Sequence, residues 1–252
     1  MSISVIIITK NAGATLRRCL ESVAWADEVV VVDSGSSDGT LDICRELGAK
    51  ISVTTDWPGF GPQKNRALDA ASGDWLFNID ADEWVTPELA EEIRTVVASG
   101  SASAFALPRR SSFCGRYMKH SGWWPDYVLR LFRRGDARFS DDQAHERLIV
   151  NGPTHKLKQP LMHEAITTMD QMLGKMNMYS TASARMLHTR GRKASLLTAV
   201  LHGCWAFFRT YVLRLGFLDG REGFILAVAN AEGSYYRYVK LMLLGKKVNS
   251  EE

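Results

Sequence analysis

The chain has 252 residues, 46% of them hydrophobic and 23% charged, which fits one large domain or a domain with an appendage, and no internal repeat or low-complexity tract is evident along it. The formal net charge of +3 is uneven: residues 185–252 hold 11 Lys and Arg against 5 Asp and Glu, whereas the remainder holds 20 against 23. A basic tail beside a mildly acidic body predicts an anionic partner for the tail, either nucleic acid or a membrane.

In chain order, "SISVIIIT" (2–9) is a continuous β-branched run, as expected of a parallel strand buried on both faces. Leu16, Cys19, Leu20 and Val23 recur at helical spacing, "EVVVVD" (28–33) reads as a second buried strand, and Leu41, Cys44 and Leu47 mark a helix closed by Gly48. "KISVTT" (50–55) predicts a third strand, "PQKNRALDAAS" (62–72) a helix, and 75–80 a fourth strand. Thr86-Pro87 then supplies a cap residue and a first-turn proline for a helix carrying Leu89, Ile93, Val96 and Val97. Such alternation predicts a parallel sheet with helices on both faces, in which ligands bind at the carboxyl ends of the strands.

Past residue 100 the alternation stops. "SAFALPRR" and "HERLIVNG" read as strands, "WWPDYVLRLFRRGD" as loop plus strand, and the chain from about 167 as helical, with apolar segments near 196–218 and 223–245. "MSISVIIITK" lacks a basic n-region and its apolar run is short, so no secretory leader is expected. Cys19, Cys44, Cys114 and Cys204 show no metal-type spacing, and buried thiols in a reducing cytosol are expected for the first two.

The segment "WLFNIDADEW" (75–84) runs into Asp80, Asp82 and Glu83. In an extended segment Asp80 and Asp82 project to the same side, where two carboxylates call for a cation. Solvation and salt bridging are the plain alternatives; helix capping is disfavoured because Thr86 already fills that position. The first strand-to-helix turn, "TKNAGAT", lacks the Gly-x-Gly-x-x-Gly of a dinucleotide site, and no P-loop is present. A phosphate site must be made differently, and a divalent metal on Asp82 would serve, since Mg²⁺ and Mn²⁺ take oxygen ligands beside a diphosphate.

"VIIITKNAGATLRRCLESV", "VVVVDSGSSDGTLDI" and "QKNRALDAASGDWLFNIDADE" together resemble, in order and spacing over residues 3–100, the nucleotide-binding half of family 2 glycosyltransferases, which have the GT-A fold. The later "WWPDYVLRLFRR", "HERL" and a following His resemble the branch of lipopolysaccharide inner-core β-1,4-glucosyltransferases, which add glucose to heptose. The resemblance implies an α/β GT-A domain over 1–166, with a nucleotide-binding half 1–100 and an acceptor half 101–166, followed by a helical C-terminal region 167–252. It implies an inverting transfer from a nucleotide sugar, with UDP-glucose the expected donor and other nucleotide sugars or a non-catalytic binder the alternatives. It puts Thr9 and Asn11 beside the nucleotide, Asp33 on uracil or ribose, Asp80 on the ribose, and Lys64 and Arg66 on the diphosphate. Asp82 would bind Mg²⁺ or Mn²⁺, with Glu83 in support.

A carboxylate must take the acceptor proton. The Glu-Asp pair of many relatives is missing, and Glu146 in His145-Glu146 is the expected base, against Asp141 and Asp142. His163 is either a further metal ligand or a packed side chain. Trp123, Trp124, Pro125, Asp126 and Arg130 form either an acceptor site, with indoles for sugar rings and Arg for phosphate, or a packed loop with an internal Asp–Arg pair.

In the tail, His202, Arg209 and Arg214 interrupt the apolar run, so no charge-free stretch reaches the roughly 20 residues needed to span a bilayer. Phe207, Phe208, Tyr211, Leu215 and Leu218 against those arginines predict an amphipathic helix, lying on anionic lipid or packed on protein. No nucleic-acid module is recognisable, and none is expected as partner. The expected location is the cytoplasmic face of the inner membrane, with a glycolipid acceptor.

Overall fold

The computed structural model describes residues 1–141 and 146–248. Asp142 and His145 lie outside the described residues. The chain divides into two compact units, Met1–Arg110 with Asp126–His163, and Ser111–Pro125 with Glu164–Glu252. The predicted alternation is present: β1 (Ile3–Thr9), α1 (Leu16–Ser22), β2 (Glu28–Asp33), α2 (Thr40–Glu46), β3 (Lys50–Val53), α3 (Phe60–Ala70) and β4 (Trp75–Asn78). Next come β5 (Glu83–Trp84), α4 (Pro87–Ser99), β6 (Ala104–Phe113), β7 (Arg116–Tyr117), β8 (Asp126–Arg133) and β9 (Ala137–Phe139). The remaining elements are β10 (Leu148–Val150), β11 (Thr154–Lys156), β12 (Leu161–Ile166), α5 (Met169–Thr189), α6 (Leu196–Phe208) and α7 (Gly220–Val248). A π turn (Arg209–Leu213) and a 3₁₀ turn (Gly216–Asp219) lie between the last two helices.

The main sheet has the order β3-β2-β1-β4-β8-β6-β12-β5, with β7 and β11 also on β6, and β9 and β10 form a separate ribbon. β1 pairs parallel with β2 and β4, and β2 with β3, whereas β4–β8, β8–β6 and β12–β5 are antiparallel. The continuous apolar run of β1 has the expected cause. Val5 and Ile7 join one core with Leu16, Leu89 and Ile93, while Ile6 joins the opposite one with Ala67, Ala71 and Phe132. Each buried Val, Leu, Ile or Phe among these contributes about 1.5–3 kcal/mol relative to an exposed one. The α4 cap forms as read: Thr86 Oγ1 accepts from the Leu89 N–H at 3.3 Å, and Gly100 closes the helix in the left-handed region.

One expectation needs correction. β4 ends at Asn78, and residues 80–83 are a turn rather than an extended segment, closed by the Glu83 N–H on the Asp80 carbonyl at 2.9 Å. The Glu83 carboxylate accepts the Asp80 N–H, also at 2.9 Å, so a side chain has captured the backbone and same-side alternation does not apply. In the tail, helix continues through α6 and the π turn until Leu215 adopts φ 55°. By length and composition alone Leu196–Leu213 is long enough and apolar enough to cross a membrane, the one such helix among the described residues. Arg209 lies within it, so the charge-free run stays short of the roughly 20 residues a span needs.

The unit formed by Ser111–Pro125 and Glu164–Glu252 has its own core, in which Phe113 and Met118 pack with Ile166, Met172 and Leu226. Asp219 is buried and accepts the Lys119 and His120 N–H groups and the Ser121 hydroxyl, all at 3.0 Å, which ties the 3₁₀ turn to the segment before Pro125.

Candidate active site

Register brings the ends of β1 and β2 together, with Thr9 opposite Asp33. Asp33 is fully buried and its oxygens are occupied: Oδ2 accepts from Thr9 Oγ1 at 2.8 Å and Ser36 Oγ at 2.5 Å, Oδ1 from the N–H groups of Gly35 and Ser36. Asp33 therefore shapes the loop 34–37. Asn11, at φ 50°, accepts the Ser37 N–H at 2.9 Å and donates its own N–H to Ser36 Oγ at 2.7 Å. Asn tolerates that left-handed conformation better than most residues. Beside this corner lies a cavity of about 410 Å³ lined by Ile8, Thr9, Lys10, Trp57 and Phe60. Trp57 and Phe60 meet edge to face at 4.9 Å and are both exposed.

One turn of α3 reaches three places. Gln63 donates to Ser34 Oγ at 3.0 Å and Thr54 Oγ1 at 2.8 Å. Lys64, buried, places its ammonium 2.9 Å from Glu146 Oε1 and 3.3 Å from Asp80 Oδ1. Asn65 makes two bonds to the Phe139 backbone, donating at 2.9 Å and accepting at 3.0 Å. Gly61 lets the strand-end loop approach, since a Cβ there would sit 1.8 Å from the Ser140 carbonyl oxygen. Arg66 points elsewhere, in a bidentate pair with Asp56 at 2.6 and 3.0 Å on the exposed side of the helix.

Asp80, Glu83 and Glu146 sit in a chain of alternating charge: Asp126, Arg109, Glu83, Arg130, Asp80, Lys64, Glu146. One Arg130 nitrogen donates to both Asp80 Oδ2 and Glu83 Oε1, the latter at 2.7 Å. Burial works against the Asp80 charge, but Arg130 and Lys64 outweigh it and hold this carboxyl well below the usual range. At Glu83 burial prevails over Arg130, with Asp80 adding to it, and pushes the carboxyl up. Arg130→Ala would leave the buried Glu83 and the half-buried Asp80 without their shared cation. It should lower unfolding free energy by about 3–5 kcal/mol, read as a reduced urea midpoint at unchanged slope. Arg130→Lys should lose less, since charge is kept but the planar fork is not.

Asp82 lies beyond this chain. Its Oδ2 is 3.5 Å from His163 Nε2, its side chain is 40% exposed, and it forms no Lys or Arg ion pair among the described residues. His163 reaches it because β12 pairs with β5, setting His163 opposite Glu83. Thr9 and Asn11 thus share one corner with Asp33, and Lys64, Asp80 and Glu146 share another. Of the anticipated acceptor group, Arg130 is buried on Asp80 and Glu83, Asp126 pairs with Arg109 at 2.7 Å, and Trp124 falls in the unit formed by Ser111–Pro125 and Glu164–Glu252. Trp57, Phe60, Asn65 and Arg109 were missed by sequence reading. The aromatics flanking Pro58-Gly59 were the available signal for the first two.

The family model for Glycosyl transferase family 2 matches residues 4–156, more than half of the chain. The chain belongs to this family. Among relatives of this glycosyltransferase, an uncharacterized glycosyltransferase of Rickettsia bellii is 32% identical, covering 98% of this chain and 88% of the relative. The lipopolysaccharide core biosynthesis glycosyltransferase LpsC of Rhizobium meliloti is 31% identical, covering 94% and 93%. Staphylococcus aureus TarS (residues 1–349) matches with TM-score 0.51 at 17% identity over 98% of this chain and 92% of that one, and its UDP complex with TM-score 0.50 at 16% identity. The glycosyltransferase thus has a GT-A-like mixed sheet followed by a C-terminal helical region.

Proposed function

We propose that this glycosyltransferase is inverting and metal-dependent, and moves glucose from UDP-glucose onto a lipid-linked glycan such as a heptose of a lipopolysaccharide core. The observation that carries the reading is the division of labour among the acids: Asp80 is spent on Arg130 and Lys64, while Asp82 stands open beside His163. A carboxylate with an imidazole nearby suits a divalent ion such as Mn²⁺ or Mg²⁺. An ion held by Asp82 and His163 would take its remaining ligands from donor phosphate oxygens and water. When bound, such an ion would supply Lewis-acid stabilisation of the departing diphosphate.

The chain's own groups account for the rest. Trp57 and Phe60 offer faces to a uracil base in the cavity beside Thr9, with Asn11 and the loop that Asp33 shapes alongside. Asp80 faces the ribose and Lys64 the diphosphate; Arg66, paired with Asp56, is reached only by releasing that pair. Glu146 takes the acceptor hydroxyl proton as the sugar oxygen attacks, and Lys64 holds it in orientation. The nucleotide is supported by the UDP complex of TarS, and the acceptor class by the name of LpsC. We place the domain boundary near 166, with the helical region meeting the cytoplasmic face of the membrane peripherally. Turnover of UDP-glucose and competing nucleotide sugars, with and without Mn²⁺, on core oligosaccharide fragments tests the proposal. UDP-glucose with Mn²⁺ should give transfer; tight donor binding without hydrolysis or transfer on any acceptor would overturn it.

A further inference from the structure

The large apolar side chains of the tail are on the wrong side for a helix of a water-surrounded protein. Leu197, Leu201, Trp205, Phe208 and Val212 recur every three or four residues along α6 and the π turn, and all are exposed, Leu197 by 66% and Trp205 by 53%. The face turned inward is small: Ala199, Gly203, Ala206 and Thr210 are buried. Gly203 permits the close approach to α7, since a Cβ there would lie 3.3 Å from the Ala231 carbonyl oxygen and the Tyr235 Cβ. Asn230 donates to Thr210 Oγ1 at 3.3 Å, and His202 stacks on Tyr238 at 4.0 Å. At the edge of that face the half-buried Phe207 and Tyr211 meet Phe224 with centroids 5.8 and 5.5 Å away.

Charge selects what covers this stripe. Residues 171–218 contain seven Lys and Arg and not one Asp or Glu. Two copies meeting through the stripe would bring like charges together, whereas an anionic bilayer surface meets both properties at once. Spanning is disfavoured by the neighbour. α7 carries Glu232, Ser234 and Arg237 along its length, and the 18 residues Leu196–Leu213 rise only about 27 Å.

We infer that α6 and its π turn lie flat in the interface of an anionic phospholipid bilayer, with the Leu197–Val212 stripe among the acyl chains, Arg209 reaching up to phosphates, and α7 kept on the water side. The inference deepens the lipid-linked acceptor reading and takes its purpose from it, but binding is measured independently of turnover.

The full chain is mixed with phosphatidylglycerol or phosphatidylcholine vesicles and floated at about 0.01 and 0.15 M salt, where the Debye length is about 30 and 8 Å. Phosphatidylglycerol should bind, more weakly at the higher salt but not to zero, and phosphatidylcholine should bind much less. An environment-sensitive label on the exposed Cys204 should shift to the blue on vesicles and be quenched by brominated acyl chains. Leu201→Ser with Trp205→Ser should reduce the partition coefficient at least tenfold, while Ile149→Ser, equally exposed but in the other unit, leaves it unchanged. Failure to bind either vesicle would overturn the inference. So would a lipid-free dimer that the double variant dissociates, or vesicle-bound protein that resists carbonate extraction as a spanning helix does. Vesicle binding by a protein inactive on every donor would leave this inference standing and remove the catalytic one.

Discussion

Asp82→Ala should abolish metal-stimulated donor binding and turnover while the thermal transition stays within a few degrees of the parent. The expectation of an intact fold follows from what Asp82 lacks. Its partly exposed carboxylate has no Lys or Arg pair among the described residues, and its neighbour is the His163 ring at 3.5 Å. Removing it strands no buried charge. Asp80→Ala is the contrasting case, because it takes one acid from Arg130 and from Lys64 together. That variant should lose stability as well as activity. Donor titration with and without Mn²⁺, followed by calorimetry on the same samples, separates the two. Full activity in Asp82→Ala would remove the metal from this turn.

Glu146→Gln should keep the donor KM within a few-fold and lower kcat by about 10² to 10⁴, the range for loss of a general base. The amide oxygen can still accept from Lys64, which donates to Glu146 Oε1 at 2.9 Å, so the local geometry survives the loss of the negative charge. Proton acceptance is then the property tested rather than packing. An active Glu146→Gln beside a dead Asp141→Asn or Asp142→Asn would move the base to those positions.

The alternation of strand and helix was legible because buried parallel strands are written as unbroken β-branched runs, and "SISVIIIT" and "EVVVVD" have no other comfortable use. The placing of ligands at the carboxyl ends of those strands was legible for the same reason. What local pattern does not contain is sheet order. β8 lies beside β4 although 47 residues separate the end of one from the start of the other, and that adjacency carries Arg130 onto Asp80 and Glu83. An arginine in "YVLRLFRR" reads equally as a surface or substrate group until the neighbour is known. The turn at 80–83 escaped because a carboxylate three residues ahead competes with extension. In the tail, periodicity reports two faces but not which one packs. The small residues at 199, 203, 206 and 210 were the missing clue, since they favour close helix contact.

The first turns of α3 bear on how this sequence can drift. Gln63, Lys64 and Asn65 are consecutive, so they leave the helix in three directions, toward Ser34 and Thr54, toward Asp80 and Glu146, and toward Phe139. A backbone movement that improves one anchorage disturbs the other two, and a substitution at any of them changes the background in which its neighbours act. Effects of paired changes here should depart from the sum of single ones, as they do for residues sharing a network. Lineages that alter this turn must therefore alter it as a block, together with the loops it reaches.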